Sequence, residues 1–517
     1  MDLSSADKLF SHLPPAPQTP GFSILVLRGD ETLYERQFGF ASLEYGLPVT
    51  YNTVFHVASV SKQFTAACFT LLESEGLVNP DASIRRWFPE LPACMEPVTP
   101  RHLLHHTGGL REQWDLFTLS GSSMEDLATS DQTLRALCRQ KKLNFAPGER
   151  YQYCNSGYIL LAQLVQRVTG QSLRQFAQDR IFGPLQMTST YFRDDHGEVC
   201  RNRAESYEWE GGAYKHRALT FDVAGNTSLN TTARDLCRWL SELIRPQVFS
   251  PDVVRRIKEP FTLNGGPVSG YCRGIQHTRW RGQEVYFHSG ANAGFRAVSM
   301  AVPDLDLRLA VLSNYGTSRP YQRALRLLEF LVPEALESLP AHNYRLDVDV
   351  TEPKGLFLCG AERAELMRLP NGVHLRDGTD WDFLRTGGNE YVSEAMDARL
   401  YPQPDGAVVL DPFAGETSVY RPADFVPVPD AERTASGMYL SDELLTFYRL
   451  SFAEDTLILE HLKRGTQSFR RRQNGTYVAV DGEPITLTLQ SGTPASFTLD
   501  KQRSQGILFI KTDLAEE

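Results

Sequence analysis

The segment that is most informative about the fold of this chain is Phe55-His56-Val57-Ala58-Ser59-Val60-Ser61-Lys62-Gln63-Phe64-Thr65-Ala66. From Lys62 onward, apolar residues recur at spacings of three and four without Gly or Pro before Gly76, which predicts a buried helix. Ser59 then lies at the first turn, one turn before Lys62 on the same face. A lysine beside a serine hydroxyl can accept its proton, so the segment indicates a serine nucleophile. Taken alone, Ser-x-x-Lys is also typical of a helix cap followed by a solvated lysine.

A second polar pair follows a Pro-Gly turn in the segment Pro147-Gly148-Glu149-Arg150-Tyr151-Gln152-Tyr153-Cys154-Asn155-Ser156-Gly157-Tyr158. Tyr153 and Asn155 flank one turn of a loop that leads into a helix. A phenol near a cationic lysine can act as a general base, and an amide can orient the lysine or a substrate carbonyl. The alternative is a packed Tyr and an Asn that caps the helix.

A third segment joins an apolar strand to small residues: Tyr286-Phe287-His288-Ser289-Gly290-Ala291-Asn292-Ala293-Gly294-Phe295. Small residues such as Gly290 let a substrate approach the backbone. We expect the backbone N–H groups of Ala291 and Ser59 to form an oxyanion hole. His288 offers a hydrogen-bond donor or a charge that depends on pH, although a single His beside a Gly is more often structural.

Length and composition limit the classes of protein to which this chain can belong. Its 517 residues exceed the roughly 250–300 that one hydrophobic core supports, so more than one domain is expected. Apolar residues make up 41% and charged residues 22%, which is typical of an ordinary folded protein. The net charge of −10 repels a phosphate backbone, so nucleic acid is not an expected partner.

The sequence also indicates the cellular compartment of the protein. The first eight residues contain no basic region followed by an apolar run, and no later stretch approaches the ~18 apolar residues of a membrane span. We therefore expect neither export nor a membrane partner. The eight cysteines are scattered without a Cys-x-x-Cys pair, which indicates neither a disulfide framework nor a zinc ribbon and favours the cytoplasm.

The chain changes character near residue 332. Before it, strand-like runs alternate with helical ones, and residues 22–27 followed by Gly29-Asp30 are typical of a hairpin. Beyond it, turn dipeptides such as Asp405-Gly406 separate short β-rich runs. We predict an α/β (α+β) domain at residues 1–332. A Pro-rich break at residues 425–430 divides the rest into two small antiparallel β-barrels, predicted at residues 340–424 and 431–517.

The two predicted barrels carry a faint repeat. Gly355-Leu356-Phe357-Leu358 precedes Leu366-Met367-Arg368-Leu369, much as Gly437-Met438-Tyr439-Leu440 precedes Phe447-Tyr448-Arg449-Leu450. Strand patterns of this kind are common, so chance is the alternative explanation.

Taken together, Ser59-x-x-Lys62, Tyr153-x-Asn155 and His288-x-Gly290 resemble the three motifs of the serine β-lactamase and penicillin-binding-protein superfamily. The segment His102-Leu103-Leu104-His105-His106-Thr107-Gly108-Gly109-Leu110 is similar to its class C branch. The resemblance implies a β-lactamase-like catalytic domain and an acyl-enzyme mechanism without cofactor or metal. Ser59 would attack the carbonyl, either Tyr153 or Lys62 would take its proton, and Tyr153 would protonate the leaving amine.

Over its whole length the chain is similar to the bacterial D-aminopeptidase family, in which two small barrels follow a class C-like domain. The similarity is carried by Gly109-Leu110-Arg111-Glu112-Gln113-Trp114 and Gly437-Met438-Tyr439-Leu440-Ser441-Asp442-Glu443-Leu444. In that family a loop of the last barrel enters the catalytic cleft and helps to bind the substrate's free amino group. The candidate loop here is residues 480–484, and Asp481 would pair with that ammonium. The turn is shorter than the family's loop, and a plain hairpin turn is the alternative.

One position departs from most of the superfamily. Most β-lactamases and D,D-carboxypeptidases carry a lysine where this chain has His288. A largely neutral imidazole should bind a substrate carboxylate more weakly, which favours amide, amine-terminal or ester substrates. The sequence therefore predicts a D-aminopeptidase that releases small N-terminal D-residues from small peptides or amides, and the resemblance suggests a homodimer.

Three alternatives stay open at this point. Within the superfamily, an esterase or a D,D-peptidase with an open cleft is compatible with the short turn. A non-catalytic recognition protein could use the same scaffold, although the intact set of motif residues argues against it. His102 and His106 stand four apart on a predicted helix, a spacing able to bind zinc, but no carboxylate follows the first of them as in His-Glu-x-x-His.

Overall fold

The computed structural model describes residues 3–11, 13, 16–337, 353–359, 362–376, 380–387, 390–393, 398–412, 417–490 and 492–512. The chain divides into two compact units. One comprises Met1–Gln113 and Met124–Leu339, and the other comprises Trp114–Ser123 and Pro340–Glu517. The domain limits at residues 332, 340, 424 and 431 stay predictions, and residue 340 lies outside the described residues.

The first unit is built on a six-stranded antiparallel sheet. Its strands, in spatial order, are Gln276–Trp280, Gln283–Asn292, Phe295–Val302, Leu307–Ser313, Phe22–Arg28 and Glu31–Phe38. The predicted N-terminal hairpin is confirmed, because the last two of these strands pair across Gly29-Asp30. Every residue of Leu307–Ser313 is buried, which explains its almost continuous apolar sequence.

Helices cover this sheet. Leu325 and Leu328 of the helix Pro320–Leu331 join Ile24 and Val298 in one buried core. Full burial of a side chain of this size contributes about 1.5–3 kcal/mol. The helix Ala233–Ile244 also packs on the sheet, and the Thr232 hydroxyl caps it by accepting from the N–H of Asp235.

A group of helices carries the predicted nucleophile. The helix expected from Lys62 onward is confirmed as Ser61–Ser74 and packs against Asn155–Thr169 and Pro251–Ile257. Further α-helices of this unit are Ser4–Asp7, Pro100–Leu104, Ser130–Cys138 and Leu173–Ala177. Short paired strands complete it: Phe40–Ser42 with Leu47–Pro48, Phe55–His56 with Leu229–Thr231 and Tyr191–Phe192, Ala128–Thr129 with Phe221–Asp222, Tyr207–Glu210 with Ala213–His216, and Phe261–Thr262 with Val268–Ser269. In the described part of the chain, every helix is too short or too polar to span a bilayer.

The second unit contains two closed antiparallel barrels, which confirms the predicted fold of the last third. The first consists of Gly355–Cys359, Glu362–Leu369, Gly372–Arg376, Asp380–Gly387, Glu390–Ser393, Ala398–Pro402, Val408–Pro412 and Ser418–Pro422. The second consists of Gly437–Ser441, Thr446–Ala453, Thr456–His461, Gly465–Arg471, Tyr477–Ala479, Ile485–Gln490, Ser496–Lys501 and Ser504–Thr512. The short helix Asp430–Arg433 precedes the second barrel.

The faint sequence repeat corresponds to equivalent strands. In each barrel the repeated segments lie in the first two strands, which pair with each other. The register differs, because Gly355 is opposite Leu366, the first residue of its second segment, whereas Gly437 is opposite Leu450, the last residue of its second segment. The strands show the expected alternation: Tyr448 and Leu450 point into the second barrel, whereas Phe447 and Arg449 are exposed.

A segment from the middle of the chain belongs to the second unit, which no feature of the sequence had indicated. The helix Gln113–Leu119 begins at the last residue of the first unit and continues into Trp114–Ser123. Within the second unit, the hydroxyl of Tyr448 donates to the carbonyl oxygen of Leu119 at 3.1 Å. The guanidinium of Arg464 donates to the carbonyl oxygen of Thr118 at 2.9 Å. The N–H of Arg503 also donates to the Asp115 carboxylate at 3.0 Å, so the barrel binds both the backbone and the side chains of this segment.

Candidate active site

Ser59 lies on a tight turn at the start of the central helix. The turn is the 3₁₀ segment Ala58–Val60, and Ala58 has φ +45° although it is not a glycine. A left-handed Ala costs on the order of 1 kcal/mol or more, so surrounding contacts must hold it. The Ser61 hydroxyl supplies one such contact, because it donates to the carbonyl oxygen of Ala58 at 2.5 Å and accepts from the N–H of Leu229 at 3.0 Å. Ser59 itself is partly exposed.

The Lys62 ammonium nitrogen is the centre of the site. It is fully buried and lies 3.1 Å from the Ser59 hydroxyl oxygen, 2.8 Å from Asn155 Oδ1 and 2.7 Å from the carbonyl oxygen of Asn226. It also lies 4.7 Å from the centroid of the Tyr153 ring, within the range of a cation–π contact. The structure therefore brings together the two predicted pairs, Ser59 with Lys62 and Tyr153 with Asn155.

A buried carboxylate lies behind Asn155. Both oxygens of Glu112 accept hydrogen bonds from this one residue, Oε2 from its backbone N–H at 2.6 Å and Oε1 from its side-chain Nδ2 at 2.7 Å. Glu112 is 0% exposed, which is unusual for a Glu and is possible because both of its oxygens are hydrogen-bonded. The amide of Asn155 is thus bound at both ends, by Glu112 and by Lys62.

Tyr153 stands in an aromatic cluster. Its ring centroid lies 4.3 Å from that of His106 and 6.4 Å from those of Tyr271 and His288. His106 Nδ1 accepts from the N–H of Cys154 at 3.1 Å, so the loop that carries Tyr153 is held on this imidazole. These contacts fix the position of the phenol beside the lysine.

His288 is buried and uncharged at neutral pH. Its pKa is lowered to about 3, mainly by burial and to a smaller extent by the nearby Lys62 charge, against an opposing effect of the Ser289 carbonyl. Nδ1 lies 2.6 Å from that carbonyl oxygen and donates to it, so Nε2 is left to accept from the Tyr271 hydroxyl at 3.0 Å. Burial raises the pKa of Tyr271 well above its usual value, so its hydroxyl keeps the proton that it donates.

The depressed pKa of His288 predicts a loss of stability in acid. Above about pH 6.5 the imidazole is neutral in both the folded and the unfolded chain. Between about pH 6.5 and 3, only the unfolded chain binds a proton at this imidazole. The free energy of unfolding should therefore fall by about 1.4 kcal/mol per pH unit from this one group as the pH drops toward 3. Between pH 6 and 4, the slope of unfolding free energy against pH should be smaller by this amount in the His288→Gln variant than in wild type. Urea unfolding at several pH values measures both slopes.

His105 provides the comparison for that experiment. Burial lowers its pKa to about 3 as well, so His105→Gln should reduce the slope to a similar extent. Identical slopes for wild type and His288→Gln would contradict the assignment of a neutral buried imidazole.

The strand that carries His288 runs beside the Ser59 turn. The first strand of the sheet pairs with Gln283–Asn292 only as far as Phe287, so the following residues have a neighbouring strand on one side alone. A side chain on Gly290 would collide with the carbonyl oxygen of Val57 and would lie 3.2 Å from the backbone nitrogen of Ser59. Only a glycine allows this approach, which brings the strand backbone next to Ser59. The role of Ala291 in an oxyanion hole stays a prediction.

The two residues considered for zinc are used otherwise. The helix predicted to carry both ends at Leu104, so His106 lies outside it, and that part of the prediction was wrong. His102 Nδ1 belongs to the capping box of Thr99, and His106 Nδ1 accepts from the N–H of Cys154. These bonds agree with a structural role for both histidines.

Asp481 is described within the second unit. One of its carboxylate oxygens accepts from the N–H of Ser468 at 2.8 Å, and its carbonyl oxygen accepts from the Gln467 side chain at 2.8 Å. These are the bonds of a hairpin turn. In the same turn, the Glu483 carboxylate lies 2.8 Å from the ammonium of Lys501 and also pairs with Arg464. The pairing of Asp481 with a substrate ammonium stays a prediction.

The sequence did not reveal several residues of this site. Glu112 lies in a segment that resembled a known family, but an acidic residue in a loop gives no sign that it is buried. Asn226 contributes a backbone carbonyl, which any residue could supply. Tyr271 and His106 approach the site from distant parts of the chain and lie in ring contact. The sequence had marked His106 only as part of a class C-like segment and as a zinc candidate, and nothing had marked Tyr271.

Comparison with known proteins decides the family. Residues 6–333, well over half of the chain, match the family model described as Beta-lactamase. The chain belongs to the Beta-lactamase family. The predicted resemblance to this superfamily is confirmed, and so is the predicted fold of the catalytic domain that carries Ser59 and Lys62.

Curated members of the family match the chain beyond this domain. The D-aminopeptidase of Gluconobacter oxydans (strain 621H) is 26% identical over 446 residues, covering 84% of this chain and 82% of that protein. A D-aminopeptidase of Cereibacter sphaeroides is 28% identical over 452 residues, covering 86% and 84%. Penicillin-binding protein 4* of Bacillus subtilis (strain 168) is 28% identical over 332 residues, covering 61% and 73%.

Solved structures share the family fold. The octameric penicillin-binding protein homologue from Pyrococcus abyssi superposes with a TM-score of 0.59 at 21% identity, covering 81% of this chain and all of that chain. The D-amino acid amidase from Ochrobactrum anthropi SV3 superposes with a TM-score of 0.54 at 21% identity, covering 65% of this chain and all of its own. At this identity the likeness concerns the fold alone.

Proposed function

We propose that this protein is a serine hydrolase that acts through an acyl-enzyme, as a D-aminopeptidase releasing small N-terminal D-residues from peptides or amides. The observation that carries the proposal is the placement of the Lys62 nitrogen, 3.1 Å from the Ser59 hydroxyl and bound to two further oxygens. A serine gains nucleophilic strength when a base within hydrogen-bond distance can take its proton.

The hydrogen-bond arrangement favours Lys62 as the proton acceptor in its neutral form. A neutral amine has two N–H groups and one lone pair. The carbonyl-type oxygens of Asn155 and Asn226 can accept the two N–H groups, which leaves the lone pair for the Ser59 hydroxyl. Tyr153 lies beside the same nitrogen and is the alternative base. In either case the Ser59 oxygen attacks the substrate carbonyl as its proton leaves.

The remaining steps use groups on the same face of the site. The N–H groups of Ser59 and Ala291 would stabilise the oxyanion of the tetrahedral intermediate, since Gly290 allows that strand to approach the nucleophile. Tyr153 would protonate the leaving amine as the C–N bond breaks; where Lys62 has taken the Ser59 proton, that proton would pass from Lys62 to Tyr153. Water then attacks the ester on Ser59 and releases the free D-residue.

Two observations favour D-aminopeptidase activity over other activities of the superfamily. The similarity to the D-aminopeptidases extends over 84–86% of the chain, which is more than the Beta-lactamase model covers at residues 6–333, so it reaches beyond the catalytic domain. In addition, His288 is neutral at working pH, because burial lowers its pKa to about 3. A neutral side chain there offers no charge for the carboxylate of a β-lactam or of a C-terminal D-residue.

The test is initial-rate hydrolysis of D-alanine and L-alanine p-nitroanilides, with a p-nitrophenyl ester and a chromogenic cephalosporin alongside. We expect turnover of the D-anilide at least about 100-fold faster than that of its L-isomer, because a site built for one configuration misplaces the carbonyl of the other. Equal rates for the two isomers would contradict the proposal. The Asp481→Asn variant then tests the predicted ammonium contact. This substitution should raise KM for the D-anilide and leave KM for the p-nitrophenyl ester unchanged.

An esterase or a D,D-peptidase of the same superfamily is the second candidate. The bond between Asp481 and the N–H of Ser468 favours it, since a carboxylate engaged in its own turn is less available to a substrate. Ester turnover without cleavage of either anilide would support this candidate. Absence of all turnover would support the third reading, a non-catalytic recognition protein.

We also propose a cytoplasmic homodimer. The cytoplasm is favoured by the eight cysteines, which are scattered along the sequence without a Cys-x-x-Cys pair. A dimer is suggested by the resemblance to the D-aminopeptidase family alone. Light scattering during size-exclusion chromatography should give twice the 58.2 kDa mass of one chain, and a mass of 58.2 kDa would contradict the dimer.

A further inference from the structure

We propose that Glu112 is a positioning residue for the Ser59–Lys62 pair, because it selects the orientation of the Asn155 amide that faces the lysine. The inference rests on the proposed role of Ser59 as nucleophile and goes beyond it by assigning the group that sets the geometry of the base. Glu112 itself lies one residue removed from the reacting atoms: it contacts Asn155, and Asn155 contacts Lys62.

An amide has two different ends, and the two orientations of Asn155 are not equivalent. Oδ1 can accept a hydrogen bond from Lys62, whereas Nδ2 can only donate. With Oε1 of Glu112 accepting from Nδ2 at 2.7 Å, Oδ1 is directed toward the Lys62 nitrogen at 2.8 Å. The flipped amide would set an NH₂ group against the lysine nitrogen and an oxygen against the carboxylate. Both contacts would be repulsive, so the carboxylate fixes the amide.

The second oxygen of Glu112 fixes the backbone of the same residue. Oε2 accepts from the N–H of Asn155 at 2.6 Å, at the first residue of the helix Asn155–Thr169. The side chain of the N-cap residue Cys154 makes no capping hydrogen bond to that helix. Glu112 instead accepts from one of the N–H groups at the start of the helix. The carboxylate therefore holds both the position and the rotation of Asn155.

The segment around Glu112 is held on both sides. Its neighbour Arg111 is 1% exposed and donates to the side-chain oxygen of Gln140 at 2.6 Å. The carbonyl oxygen of Arg111 accepts from the Ser156 hydroxyl at 2.7 Å, which ties the segment to the same helix start. Gln113 is fully buried and accepts from the Thr133 hydroxyl at 3.0 Å. These bonds fix the position of the Glu112 carboxylate. The carboxylate in turn fixes Asn155, and Asn155 fixes the Lys62 nitrogen.

The test is Glu112→Gln in the full-length protein. Glutamine has the same shape but one acceptor oxygen, so one of the two N–H groups of Asn155 loses its partner and faces an NH₂ group. The first readout is labelling of Ser59 by a fluorophosphonate, in which a Ser59 O–P bond forms, the P–F bond breaks and the base takes the hydroxyl proton. We expect labelling about 10²-fold slower than in wild type, as for a comparable misplacement of reacting groups. For any substrate that turns over, kcat should fall similarly with little change in KM.

Glu242→Gln is the matched control. Glu242 is also a buried carboxylate, 3% exposed, and accepts from the N–H groups of Gln247, Val248 and Phe249. Its replacement should lower the melting temperature about as much as that of Glu112 and leave the labelling rate within about threefold of wild type. Glu112→Asp retains the charge and both acceptors, and we expect it to recover part of the lost rate.

The outcomes separate this proposal from the function proposed above. Slower labelling in Glu112→Gln but not in Glu242→Gln supports it, even if wild type cleaves no D-alanine anilide. Labelling of Glu112→Gln within threefold of wild type overturns it, whatever the substrate proves to be. An equal loss in both glutamine variants, or no recovery in Glu112→Asp, also overturns it, since the effect would then be one of stability. Wild type that is not labelled at Ser59 overturns both proposals.

Discussion

Ser59→Ala should abolish acylation while the fold survives. Removal of a nucleophile that acts with a base as one unit lowers the rate by about 10⁴-fold or more. The described contact of the Ser59 hydroxyl is with the Lys62 nitrogen, and Lys62 keeps the oxygens of Asn155 and Asn226 after the substitution. We therefore expect the free energy of unfolding to change by less than about 1 kcal/mol.

Hydrolysis of the D-alanine anilide and fluorophosphonate labelling measure this effect. Ser74→Ala is the control, because Ser74 is the last residue of the same helix and its hydroxyl donates to the carbonyl oxygen of Leu71 at 2.8 Å. It should keep full activity. Substantial turnover by Ser59→Ala would rule out the acyl-enzyme mechanism.

Gly290→Ala should have the second-largest effect. The added methyl group would overlap the carbonyl oxygen of Val57 and press on the Ser59 nitrogen, so either the strand or the nucleophile turn must move. Overpacking of this kind costs about 1–3 kcal/mol of stability. A shift of about 1 Å between strand and nucleophile should lower kcat/KM by about 10²-fold, because the proposed oxyanion donors lie on these two elements.

Gly265→Ala is the control for steric effects of an added methyl group. At that position the methyl would meet only the ring of Pro267, at 3.7 Å, which is ordinary van der Waals contact. We expect unchanged kcat/KM for this variant and a melting temperature within about 2 °C of wild type. Gly290→Ala with wild-type kcat/KM would mean that the strand does not contribute to the site.

Local patterns were enough to predict the proximity of Ser59 and Lys62 and the presence of the barrels. The spacing of three between Ser59 and Lys62 predicts that they lie on the same face. The structure keeps them 3.1 Å apart, although Ser59 lies in the 3₁₀ turn Ala58–Val60 directly before the helix Ser61–Ser74. Turn dipeptides such as Asp405-Gly406 between short β-rich runs marked the strands of the barrels. These features depend on neighbours in the sequence, and the structure reproduces them.

Two properties could not be predicted from local sequence patterns: the conformation of His106 and the charge of His288. The spacing of His102 and His106 fits a helix, but the chain leaves the helix after Leu104 and His106 takes φ +56°. His288 could have been charged or neutral on sequence grounds. Its neutrality follows from burial, and the burial comes from strands and side chains distant in the chain.

The sequence by itself determined the order of the motifs, the helix that follows Ser59 and the β-rich nature of the last third, because each depends on neighbouring residues: apolar periodicity for the helix, and turn dipeptides for the strands. Only the tertiary structure decided that Glu112 is buried against Asn155, that the Gly290 strand lies against the nucleophile turn, and that residues 114–123 belong with the second unit. Each of these joins residues far apart in the chain. Such contacts are selected by packing and by the need to satisfy every buried polar group, and neither requirement leaves a local pattern.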